Sequence, residues 1–133
     1  MIVYVTGFYA GFLAIMLVVL TKRVVGLRYA KKIGIDTGAD KEMIQAVRVH
    51  GNFTEYVPII LILMGILELN GTPSIYLHVM GIVLVISRIS HAIGLSRTIR
   101  GGKLRVYGMF ATIMMLVAGG GASMVLSILH NLS

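Results

Sequence analysis

Three polar side chains, Arg48, Asn52 and Glu55, are separated by four and three positions, the spacing that stacks them on one face of a helix. Directly after them runs an apolar segment over residues 56–67 that reaches only about 18 Å at roughly 1.5 Å per residue, against a bilayer core of roughly 30 Å. A helix crossing the membrane here must carry those polar groups into the hydrocarbon or to its edge. Ionisable groups at that depth are costly and mark function. A second set, Arg88 and His91, is three residues apart and shares a helical face in the same way. If the two helices run antiparallel, the polar faces meet at comparable depth.

Inside, the set holds one acid against two arginines, and Arg105 and Tyr107 enter a later helix from the same side. A structural reading is open: Glu55 neutralises Arg48 or Arg88, Asn52 satisfies the remainder, and the network fixes helix packing. The surplus of positive charge argues further, for an anionic ligand. A ligand with two carboxylates and one ammonium complements the set, because arginine forks bind carboxylates bidentately and a carboxylate accepts from an ammonium. Glutathione has this charge pattern. Its thiol becomes a better nucleophile where an arginine or a tyrosine hydroxyl stabilises the thiolate.

The elements that position these groups follow from composition. Of 133 residues, 57% are hydrophobic, well above the roughly 45–50% of soluble domains, and the mean hydropathy is +0.91. The chain reads as a single all-α membrane domain, residues 1–133, with four spans at about 2–32, 41–69, 74–98 and 104–132. Residues 2–20 carry no charge and precede Lys22 and Arg23, the reverse of a cleaved signal peptide. Gly34 and Gly38 interrupt the chain, Asp40 is an N-cap candidate with Glu42 in the first turn, and the run from Asn70 to Pro73 is a turn. Gly101 and Gly102 separate the last two spans. Pro58 cannot donate to the carbonyl of Thr54, which predicts a kink one turn from Glu55. The small-residue cluster over residues 118–123 reads as close helix packing or a local kink.

Lys22, Arg23, Arg28, Lys31, Lys32 and Lys41 flank the first connection, and Arg97, Arg100, Lys103 and Arg105 flank the third. The middle connection and both termini have neither Lys nor Arg. The positive-inside rule therefore places the first and third connections in the cytoplasm and both termini outside, so a polar site opens toward the cytoplasm. Absent cysteine excludes disulfides and thiolate metal sites. No His or carboxylate pair has ligand spacing, so no metal is expected, and no soluble basic module is present to hold nucleic acid. His78 and His130 read as interfacial and His50 as structural or solvated.

The stretch RVHGNFTEYVP over residues 48–58 resembles the second-helix signature of the membrane-associated proteins in eicosanoid and glutathione metabolism, MAPEG, a family that includes the microsomal glutathione transferases. RISH over residues 88–91 resembles its third-helix motif, and the likeness covers essentially the whole chain. The resemblance implies a homotrimer of four-helix subunits in a bacterial inner membrane, with glutathione between neighbouring subunits near the cytoplasmic face and a lipophilic co-substrate arriving from the lipid. By position, Arg48, Asn52, Glu55, Arg88, His91 and Arg28 would bind glutathione, and Arg105 with Tyr107 would serve the thiol in conjugation or peroxide reduction. Two positions depart from catalytic members: Leu95 stands where some have a tyrosine, and Val106 where some have a hydroxyl residue. A non-catalytic binding or scaffold protein of the same fold is the alternative, with a small proton-coupled exporter behind it.

Overall fold

The computed structural model describes residues 2–98 and 102–132. Four helices make up the architecture: α1 (Tyr4–Lys31), α2 (Lys41–Leu69), α3 (Ser74–Arg97) and α4 (Lys103–Leu132). Each is long and apolar enough to cross a membrane. Arg100 and Gly101, assigned from sequence to the third connection, lie outside the described residues.

Buried positions on α2, from Met43 and Ala46 through Val49, Phe53, Val57 and Ile60 to Met64 and Leu67, recur every three or four residues. That is the stripe of a helix packed along its whole length. α3 buries Leu77, Gly81 and Leu84 and then, in its last three turns, the polar Ser87, Arg88 and His91. α2 and α3 form the middle of the bundle; α1 packs on both, α4 packs on both, and among the described residues α1 and α4 do not pack together. The outward faces are apolar, with Phe8, Ile15, Ile62, Val117 and others exposed, as a lipid solvent requires.

The helix ends are fixed by specific bonds. α1 stops where Lys32 turns left-handed at φ 53°. Asp40 then caps α2, accepting from the Met43 N–H at 2.8 Å, and Lys31 reaches across to Asp40 at 2.6 Å and Glu42 at 3.1 Å. Asp40 is thereby held below the usual carboxylate range, first by the Lys31 hydrogen bond and then by the Met43 N–H. At the opposite end α1 has no side-chain cap of its own. Glu68, from the last turn of α2, supplies one: its carboxylate accepts from Val5 N–H at 2.7 Å and Thr6 N–H at 2.8 Å. α2 continues as helix through Pro58.

Backbones approach closely where α3 crosses α4. A Cβ built on Gly108 would lie 2.6 Å from the Ser87 carbonyl and 2.8 Å from the His91 N–H, and one on Gly94 would lie 2.5 Å from the Arg105 N–H. α3 and α4 therefore touch where the polar residues sit. Of the three glycines in the small-residue cluster, Gly119 is packed against neighbours, while Gly120 and Gly121 have open space beside them.

Candidate functional site

The stripe on α2 faces one cavity of about 550 Å³ at the basic end of the bundle. Arg48, Asn52 and Glu55 line it from α2, His91 and Leu95 from α3, and Arg105 from α4. The α3–α4 crossing explains the last contribution: Gly94 and Gly108 allow Arg105 to come down beside His91. Arg48 and Glu55 are solvent- or lipid-accessible in the single chain, Asn52 is half-buried, and His91 is buried to 4% exposure.

Arg88 stands behind this wall. It is 2% exposed; one guanidinium nitrogen donates to Asn52 Oδ1 at 2.9 Å, the other to the Gly108 carbonyl at 3.3 Å and to the Thr112 hydroxyl. The Tyr56 ring lies 5.9 Å from the guanidinium carbon, within the range of a cation–π contact. Its Nε has no partner among the described residues. Arg88 therefore links α2, α3 and α4 and fixes the amide of Asn52, whose Nδ2 approaches the Met109 sulfur at 4.0 Å. Its buried charge has no carboxylate in contact, since the ion pairs among the described residues are those of Lys31. Glu55 accordingly does not neutralise Arg48 or Arg88, and a structural ion-pair network is not what the polar stripe forms.

Two of the sequence-derived residues stand elsewhere in the chain. Arg28 closes the first connection, donating to the carbonyls of Ile33 at 3.4 Å and of Gly34 and Asp36 at 3.2 Å; it belongs to α1, which contributes nothing to the cavity wall. Tyr107 follows Arg105 by two residues, roughly 200° around the helix, and is 65% exposed on the outer face of α4. Neither reaches the cavity of its own chain.

Other residues at the site were not singled out from sequence. Gln45 lines the cavity and donates to the Leu95 carbonyl at 3.1 Å, bridging α2 and α3. It extends the 48, 52, 55 stripe by one step of three, so the helical spacing carried a signal for it. Thr112 lies on the Gly108 face of α4, one turn on; its hydroxyl donates to the Gly108 carbonyl at 2.8 Å and accepts from Arg88. Only the knowledge that Arg88 faces α4 would have found it.

Four helices long and apolar enough to cross a membrane, three of which wall a polar cavity that holds Arg48, Glu55 and Arg105, define an integral membrane protein. The chain belongs to the MAPEG family, whose model matches residues 6–125. It is similar to the protein named inner membrane protein YecN in two strains of Escherichia coli, with 37% identity over 90 residues, covering 68% of this chain and 69% of the relative in each case. With four spans and such relatives, it is an integral inner-membrane protein.

Proposed function

We propose that the cavity binds glutathione, or an acidic thiol of the same charge pattern, at the cytoplasmic side of the membrane. One observation carries this reading: Arg48, Glu55 and Arg105 line a single cavity, with the buried Arg88, which has no carboxylate in contact, immediately behind. Arg48 would fork onto a ligand carboxylate and Glu55 would take the ammonium. Arg105, on the same cavity wall as His91, would be the group for the thiolate, because a nearby cation favours the charged form. Arg48 and Glu55 are exposed in the single chain, which fits a wall completed by a neighbouring subunit in a homotrimer. Arg28 and Tyr107 would then serve a neighbour's cavity. The basic connections orient this end toward the cytoplasm, and a lipophilic electrophile or peroxide would enter from the bilayer.

Glutathione added to the detergent-purified protein is expected to raise its melting temperature, and the pair Arg48→Ala, Glu55→Ala to abolish the rise. A rise that survives the double substitution would sink the proposal.

A second reading, binding without turnover, is favoured by Leu95, an aliphatic side chain on the cavity wall where a phenol would assist the thiol. Stopped-flow absorbance separates the two. A thiolate signal at neutral pH supports transferase or peroxidase chemistry; intact binding without it supports the non-catalytic protein.

A further inference from the structure

On the opposite side of the bundle, α1 and α3 run in the same direction toward the basic end and leave a groove between them. Its deeper part, about 260 Å³, is walled by Phe12, Ile15 and Met16 on α1 and Ile89 on α3, and is almost wholly apolar. Its outer part, about 300 Å³, is walled by Leu20, Arg23, Ser96 and Arg97. Val19, Ala92 and Ile93 border both parts, so the two are continuous. On α1 the wall residues follow the stripe 12, 15, 16, 19, 20, 23, and on α3 the stripe 89, 92, 93, 96, 97, the helical spacing of two faces turned toward one channel.

The geometry points to this groove as a binding site for one anionic phospholipid of the leaflet that the basic connections face. From Phe12 to Arg23 the groove is about 16 Å long at roughly 1.5 Å per residue, close to half of the roughly 30 Å hydrocarbon core. It thus spans one leaflet, with its apolar end at the midplane and its cationic end at the headgroups. Arg23 is held across the mouth by donating to the Ser96 hydroxyl at 2.5 Å, and Arg97 lies exposed one residue on. Neither contacts a carboxylate among the described residues, where Asp40 and Glu42 are both taken by Lys31. Two cations without acids among the described residues, one of them held by Ser96, at the mouth of an apolar channel of leaflet depth, match a phosphate on an acyl chain. A soluble phosphate would leave the channel empty, and a zwitterionic lipid brings an ammonium against the arginines.

Native mass spectrometry of the full chain in detergent, titrated with phosphatidylglycerol or phosphatidylcholine, tests this. The intact protein is expected to retain phosphatidylglycerol at least about tenfold better, given two basic side chains at the headgroup. Arg23→Gln with Arg97→Gln should bring the preference to within about twofold, while Lys22→Gln with Lys32→Gln, equal in charge removed, should leave it in place. Ala92→Phe, which fills the channel, should lower retention of the anionic lipid with the arginines intact. Equal retention of the two lipids by the intact protein, or equal loss in both double variants, would overturn the proposal. So would displacement by millimolar glycerol phosphate, which would mean a headgroup site alone. If Ala92→Phe changes the oligomeric mass and leaves lipid retention unaltered, the groove belongs to a second copy of the chain and the proposal fails.

Discussion

The guanidinium of Arg88 donates to Asn52 Oδ1 at 2.9 Å, joining the buried layer between α2, α3 and α4 to the wall of the cavity. A cation placed this way acts by holding another residue's amide, and the ligand need not touch it. On the proposed function, Arg88 is a positioning residue, and Asn52 is the group it presents.

Replacing Arg88 with Met should therefore lower stability and ligand affinity together. Loss of a buried, multiply bonded charged side chain strands the Asn52 and Thr112 partners, a cost of about 1–3 kcal/mol per unsatisfied group. Glutathione affinity should fall about tenfold as Asn52 loses its fixed orientation. Arg88→Lys should not rescue either property, because one ammonium cannot fork between Asn52 and Thr112. Thermal unfolding and binding isotherms on the two variants check this; wild-type behaviour of Arg88→Lys would contradict it.

Gly108 should tolerate no side chain. Its Cβ would sit 2.6 Å from the Ser87 carbonyl, so Gly108→Ala must push α3 and α4 apart, at about 1–3 kcal/mol for an overpacked contact. Gly120→Ala, with open space around it, should change stability by less than about 0.5 kcal/mol. Unfolding of the two variants in mixed micelles measures the contrast.

The first connection should weaken in acid. Asp40 is held below the usual carboxylate range by Lys31 and the Met43 N–H, and a depressed carboxylate stabilises the fold above its unfolded pKa and loses that contribution as pH falls through the folded one. Asp40→Asn keeps a capping oxygen and removes the charge. The melting-temperature gap between wild type and Asp40→Asn should therefore be steady above about pH 5 and close below about pH 4. A gap independent of pH from 6 to 3 would show that the ion pair contributes nothing. The side chain is partly exposed, so the effect should be small and should shrink in salt.

The four helices, the Asp40 cap and the shared face of Arg48, Asn52 and Glu55 were legible in the sequence because each is a matter of local spacing or hydropathy. The contributions that depend on which helices touch were not. Glu68 reads as an acid near a turn, and only the fold shows it capping α1 from 62 and 63 residues away. The run of small residues over 118–123 advertised close packing, whereas the tight crossing falls at Gly94 and Gly108, isolated glycines with no pattern of their own. Tyr107 looked like a partner of Arg105 by proximity along the chain, and helical rotation carries it to the opposite face. Arg88 was visible as an intramembrane charge, but its burial behind Asn52 depends on the α3–α4 contact.

Equilibrium binding by calorimetry, comparing glutathione with its ethyl ester on wild type, Arg48→Ala and Arg105→Ala, tests the central claim most directly. Saturable binding of glutathione by the wild type is expected, about tenfold weaker for the ester and for each variant, as the loss of one charged hydrogen bond of about 1.5 kcal/mol implies. Absence of saturable binding, or equal affinity across ester and variants, would contradict a cavity whose surplus positive charge selects an acidic thiol.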